Sequence, residues 1–253
     1  MQNRGAQLQI VQMTPVVKAL MIINVAIWLF GQVILEQYFL EGNPLIRYFG
    51  LIPVRVVEDF FLWQPLTYMF LHSMSLTHII FNMLMLWWFG AELEMRWGPR
   101  FFLTYYLVSG VGAGLIYTVG ITLYSVVSGS VSGLVSPVVG ASGAIFGLLV
   151  AFGILFGERV ILFFFVFPMR VKYFVLIIGA VEVVSLLNVG SRDVANLAHI
   201  GGLFSGYVFL VVWTKSLQRK RRKPGSESKR GLRLVVNNEE QKKGEGNGPK
   251  YWN

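Results

Sequence analysis

What most constrains this chain is a series of apolar runs about as long as a bilayer is thick. One runs from about Pro15 to Leu35, another from Thr77 to Glu94, and a third from Phe101 to Gly120. A spanning helix needs about 20 largely apolar residues, so a soluble fold would have to bury several such runs at once. The composition does not allow that. Of 253 residues, 55% are hydrophobic and 14% charged, with a mean hydropathy of +0.59, whereas a soluble domain carries about 25% charge. The chain reads as a multi-pass membrane protein. The absence of cysteine rules out disulfides, thiolate chemistry and Cys-ligated metals. Three histidines without a His-Glu-x-x-His pattern give zinc little to hold, so neither metal nor cofactor is expected. The net charge of +9 is unevenly placed: from Lys215 onward there are 12 Lys/Arg against 4 acids, and before it 10 against 9. Basicity is thus a property of the tail, and nucleic acid is not an expected partner.

Taken in order, residues 1–13 are polar, and no small-residue cleavage site follows the first apolar run. A retained helix is expected there and not a signal peptide. Pro15 suits its first turn, and Asn24 is expected to face protein. Residues 36–76 form a connection too long and too aromatic for a passive linker, with Phe60, Phe61, Trp63 and Tyr68 favouring the interface; a helical hairpin is one option. Helix 2 (77–94) and helix 3 (101–120) follow, then an uncharged Ser/Gly/Val-rich stretch over 121–140. Helix 4 is expected at 141–157, an interfacial turn over the apolar run 161–167 before Pro168, helix 5 at 171–187 and helix 6 at 196–213. The expected fold class is an all-α six-helix transmembrane bundle, with a long helical or interfacial loop between helices 1 and 2. Its parts are an N-terminal segment 1–13, a membrane domain 14–214 and a disordered basic tail 215–253. The tail can hold anionic lipid or act only as a topology anchor. Arg96, Arg100, Arg159, Arg170, Lys172 and the tail fall on one side of a six-span layout, which predicts that both termini are cytoplasmic.

Within Val139-Gly140-Ala141-Ser142-Gly143-Ala144-Ile145-Phe146-Gly147, a flexible turn carries Ser142 into an apolar helix. Free amides and the positive helix end there favour developing negative charge. The plainer reading is packing, since Gly143 and Gly147 form a small-xxx-small face. His78 and Asn82 lie one turn apart on helix 2, and His199 lies early in helix 6. Helices 2, 4 and 6 enter from the same side, so these costly polar groups lie at similar depth, and a shared cavity is the economical explanation. Ser142 then suits a nucleophile and His199 its base, with the Ser142 amide, Asn82 and His78 as oxyanion donors. Gly202 and Gly206 let helix 6 approach helix 4. No acid stands out as placed to orient His199: Asp193 lies in a loop and Glu182 on helix 5. A Ser–His dyad is therefore expected. Glu182 either pairs with a buried polar neighbour or lines a path, which leaves a small transporter open as an alternative.

Together, His78-Ile79-Ile80-Phe81-Asn82, Gly140-Ala141-Ser142-Gly143, Ala198-His199 with Gly202 and Gly206, and Glu94-Met95-Arg96-Trp97-Gly98 resemble the rhomboid family of intramembrane serine proteases, over about residues 14–214. The resemblance implies Ser142 as nucleophile, His199 as base, and His78 and Asn82 as the oxyanion group, with Gly140 in the serine motif and Phe146 packed on the histidine. Trp63 matches the first-loop motif of the family, but Gln64 stands where that motif has arginine. His72 resembles a further loop histidine at a spacing one residue too long. The implied activity is endopeptidase cleavage of transmembrane or membrane-anchored proteins, at small residues near helix-destabilising sequence, with lipids as the surrounding partner. The implied location is the bacterial inner (plasma) membrane. The family also contains relatives that have lost catalysis and bind membrane proteins.

Overall fold

A buried carboxylate holds the first long helix at its N-terminus. In the computed structural model, which describes residues 12–163, 167–187 and 195–222, helix α1 spans Pro15–Phe39. Val16 N donates to Glu94 Oε1 at 3.0 Å, Val17 N donates to Oε2 at 2.9 Å, and Thr14 Oγ1 donates to the same carboxylate. An acid here satisfies amides that have no helical acceptor and meets the positive end of the dipole. Asn24 is buried, as expected, and donates to Leu20 O at 2.8 Å. Residues Ile27–Glu36 wind as π-helix and turn Gln32 and Glu36 inward. Gln32 grips the backbone of His72 with two hydrogen bonds, Nε2 to O at 2.7 Å and His72 N to Oε1 at 2.8 Å. Glu36 Oε1 accepts from Leu45 N at 2.7 Å.

The long connection is a string of short helices: α2 Pro44–Phe49, α3 Pro53–Val57, α4 Gln64–Thr67 and a 3-10 turn Tyr68–Phe70. Each of the three helices has proline in its first turn, where its fixed φ and missing N–H do no harm. Buried Gln64 knits them together. It accepts from Ile52 N at 3.0 Å and donates to Arg47 O and Tyr48 O at 3.3 and 3.4 Å. Leu51 and Val138 exchange two 2.9 Å backbone bonds, which tie this loop to the segment leading into Ser142.

Helix α5 (Leu76–Trp97) ends at Gly98, φ +80°, and Pro99 opens α6 (Pro99–Ser128). Helix α6 continues eight residues beyond the expected end at Gly120, into the Ser/Gly/Val-rich stretch, which corrects that boundary. Its hydroxyls do not break it, because Thr118, Thr122 and Ser128 donate to carbonyls four residues back at 2.7–2.9 Å. Gly129, φ +72°, caps it by donating to Ser125 O. There follow α7 (Ser132–Val135), α8 (Ser142–Phe156), strands β1 (Val160–Phe163) and β2 (Phe167–Arg170), α9 (Val171–Leu187) and α10 (Ala195–Arg222).

The antiparallel hairpin β1–β2 corrects the all-α expectation. Its β-branched and aromatic residues suit strands, and in a two-stranded ribbon both strands are edges, where Pro168 is tolerated. Charges gather at its base: Glu158 pairs with Lys172 at 2.5 Å and Arg170 at 2.9 Å, and Arg159 pairs with Glu92. The Lys172 ammonium, with help from Arg170, holds the Glu158 carboxyl below its usual range.

Among the described residues, four helices are long and apolar enough to cross a membrane: Pro15–Phe39, Leu76–Trp97, Pro99–Ser128 and Ala195–Arg219. Helix α8 is apolar but has only 15 residues. Other helices present bare apolar side chains such as Phe30, Leu176, Val126 and Val127, while Phe89, Phe102, Tyr105, Tyr106, Leu148 and Phe152 fill the centre. The chain divides into two compact units, Met1–Thr214 and Lys215–Asn253. The second is described only as far as Arg222, as the last turns of α10, which are helical beyond Leu217, where disorder was expected. The rest of the expected tail, most of segment 1–13 and Asp193 lie outside the described residues.

Candidate active site

Ser142 is the first residue of α8. The turn before it bends at Gly140, whose φ of +129° an L side chain rarely adopts, and Gly140 N donates to Tyr68 O at 3.0 Å. Intrahelical bonding starts with Ile145 N donating to Ala141 O at 3.0 Å. The earlier amides, that of Ser142 among them, have no carbonyl of the helix to bond.

Helices α8 and α10 then meet backbone to backbone. A Cβ on Gly202 would fall 2.0 Å from Gly143 O, and one on Gly206 would fall 2.9 Å from Gly147 Cα. Gly143 and Gly147 face α6 equally tightly: added Cβ atoms would meet Ala113 Cβ at 2.8 Å and Ser109 Cβ at 2.4 Å. These four glycines therefore set the interhelix distance. At that distance His199 Nε2 of α10 lies 2.8 Å from Ser142 Oγ. One turn after Ser142, Phe146 stacks on the His199 ring, with centroids 4.3 Å apart and planes 9° apart.

His78 borders the same space. Ser73 N donates to its Nδ1 at 3.1 Å, with Ser73 Oγ 2.9 Å away. Since an amide can only donate, Nδ1 is the acceptor and the ring proton sits on Nε2. That nitrogen faces Gly140: a Cβ there would be 3.0 Å from His78 Nε2 and 3.6 Å from Ser142 Oγ. Asn82, one turn on and buried, uses one Nδ2 hydrogen on His78 O at 2.8 Å, which leaves the second for a ligand. His72 is fully buried with its ring 5.2 Å from that of His78. Burial, and then the neighbouring His78, lowers its pKa to about 3. Its backbone is held by Gln32, and its ring is a neutral filler.

Ser142, His199, Phe146, Gly140 and His78 are thus brought together, with Asn82 on the helix face of His78. Sequence reasoning missed two residues, Tyr68 and Gln32, and misjudged the place of a third, Glu182. Tyr68 is buried, donates from its hydroxyl to Gly110 O at 2.8 Å, and abuts Gly143. Gln32 gave the same signal as Asn24, a polar side chain in an apolar run. Glu182 corrects the expectation that no acid lies near His199: its Oε2 is 3.1 Å from His199 Nδ1.

Compared with protein-family models, residues 60–216 match the Rhomboid domain. The chain is 32% identical over 149 residues to Rhomboid protein 1, mitochondrial, of Saccharomyces cerevisiae, covering 58% of this chain and 40% of that protein. It is 31% identical over 153 residues to Rhomboid protease GluP of Bacillus subtilis, covering 57% and 25%. With Rhomboid protease AarA of Providencia stuartii it shares 29% identity over 205 residues, covering 77% and 70%. The chain therefore spans less than half the length of the yeast and Bacillus relatives.

Proposed function

The chain belongs to the rhomboid family and is an integral membrane protein, and on that footing we propose that it is an intramembrane serine endopeptidase acting on transmembrane or membrane-anchored proteins. The observation that carries this reading is the 2.8 Å contact between Ser142 Oγ, at the start of an apolar helix, and His199 Nε2.

His199 Nε2 takes the hydroxyl proton as Ser142 Oγ attacks the scissile carbonyl. The oxyanion is met by the Ser142 amide, His78 Nε2–H and the spare hydrogen of Asn82 Nδ2. His199 passes its proton to the leaving amine, and water then hydrolyses the acyl-enzyme through the same base. A spanning substrate has its carbonyls bonded within its helix, so cleavage requires local unwinding, which small or glycine-rich sequence makes easier. Helix α8, at about 22 Å, is shorter than the roughly 30 Å hydrocarbon core, which favours a serine below the membrane surface in a recess that water can reach.

In this reading α8 and α9 complete six crossings, residues 14–214 are the catalytic domain, and 215–253 is a tail whose basic cluster meets anionic lipid. Lysine and arginine placement puts both termini in the cytoplasm of a bacterial cell. The lost-catalysis alternative loses ground because Ser142 and His199 are both present and in contact. Transport was prompted by Glu182, which faces His199. The test is cleavage of a single-span substrate in liposomes by the wild type and by Ser142→Ala. Loss of cleavage in a folded variant is expected; cleavage at the wild-type rate would end the proposal.

A further inference from the structure

We propose that Glu182 is a positioning residue for His199, making the pair with Ser142 a relay of three groups carried by α8, α10 and α9. This rests on the protease reading above.

Glu182 is the one acid in α9. Its neighbours Val181, Val183 and Val184 are exposed on the apolar outer surface, while its own side chain turns inward and is 14% exposed. A carboxylate within a spanning helix is costly and is retained where it has a partner. The partner is His199 Nδ1, 3.1 Å from Oε2, on the edge of the ring opposite Ser142. Phe146 covers the ring face. Three contacts therefore define the imidazole: a hydroxyl on one nitrogen, a carboxylate on the other and an aromatic plane above.

The chemical consequence is a choice of tautomer. A carboxylate beside Nδ1 favours the proton there, which leaves the Nε2 lone pair facing Ser142 Oγ, as a base requires. When Nε2 takes the serine proton, both ring nitrogens are protonated and the cation forms against the carboxylate. Glu182 stays ionised, the Nδ1 proton stays on the ring, and the proton taken at Nε2 leaves with the amine. The carboxylate lies off the N–H axis, a close polar contact and not an aligned hydrogen bond. Catalytic contacts of this kind tighten as charge develops.

The test compares the full-length wild type, Glu182→Gln and Glu182→Leu in liposomes. Glutamine keeps the shape and an acceptor but loses the charge; leucine suits an apolar helix and removes both. The expected order of kcat is Glu, Gln, Leu, falling about 10-fold and then about 100-fold, with KM within about two-fold, because Glu182 does not touch substrate. The melting temperature should hold in the leucine variant, since the imidazole left behind is neutral and the cost of burying a carboxylate is removed. A leucine variant within two-fold of wild-type kcat overturns the proposal; if that variant fails to fold, a glutamine variant within two-fold does so. A readout independent of cleavage is 15N NMR of labelled histidine. His199 in the wild type should carry its neutral-ring proton on Nδ1 and lose that preference in Glu182→Leu. A proton on Nε2 in the wild type, or an unchanged tautomer in the variant, sinks the proposal even where no substrate is cut. If Ser142→Ala cleaves like the wild type, the protease reading is what fails.

Discussion

Gly140 shows how much of the site depends on an absent side chain. Its φ of +129° strains any L side chain, and a Cβ would crowd His78 Nε2 at 3.0 Å. Gly140→Ala is expected to cost about 1–3 kcal/mol in stability and to reduce fluorophosphonate labelling of Ser142 by at least about 10-fold, read by gel fluorescence on folded protein. Asn82→Ala should lower kcat less than Ser142→Ala, because one oxyanion donor is worth about 10²–10³-fold and others remain. His72 makes a different prediction. Its folded pKa of about 3 lies below its unfolded value, so the folded state resists protonation. Its contribution to stability is complete above about pH 6.5 and is lost as pH falls toward 3, at about 1.4 kcal/mol per unit. Thermal melts between pH 7 and 5 should fall more steeply for wild type than for His72→Gln. Much of the site was legible at this scale because Ser142 with its glycines, and His78 with Asn82, are local patterns. Glu182 was not, because its place beside His199 depends on the register of two helices, which no spacing within either one encodes.

At the scale of elements, the close approach of α8 and α10 has a sharp test. Gly202→Ala would drive a Cβ to 2.0 Å from Gly143 O, forcing the backbones apart and separating His199 from Ser142. Cleavage should fall at least about 100-fold. Gly179→Ala on α9 is the control: its Cβ would meet only Leu203 Cδ1, at 3.6 Å, and activity should hold within about two-fold. Apolar length and glycine spacing made the long helices readable, and α9 starts at Val171, where the sequence suggested. The misreadings have physical reasons. The end of α6 looked like loop because serine and threonine suggest turns, yet their hydroxyls bonded back to the helix. The hairpin β1–β2 has no alternation to announce it. The short helices of the first loop are held by Gln64 and Glu36, polar side chains whose backbone partners only the folded chain reveals.

For the whole molecule, distant parts are tied by single buried groups. Glu94 fixes the start of α1 to the end of α5 across nearly eighty positions of chain. Removing it as Glu94→Ala strands two amides and a hydroxyl, and an unfolding titration in mixed micelles should show a loss of about 2–4 kcal/mol. The brevity of α8 reaches beyond the protein itself. In the proposed six-crossing layout its fifteen residues leave about 8 Å of an ordinary hydrocarbon slab uncovered, and acyl chains beside it must shorten or tilt to meet the mismatch. Lipid chain length should then act as a throttle. Turnover in vesicles of short-chain phosphatidylcholine should exceed that in long-chain vesicles at equal substrate density, while the detergent-solubilised protein, freed from any slab, should be indifferent to the distinction.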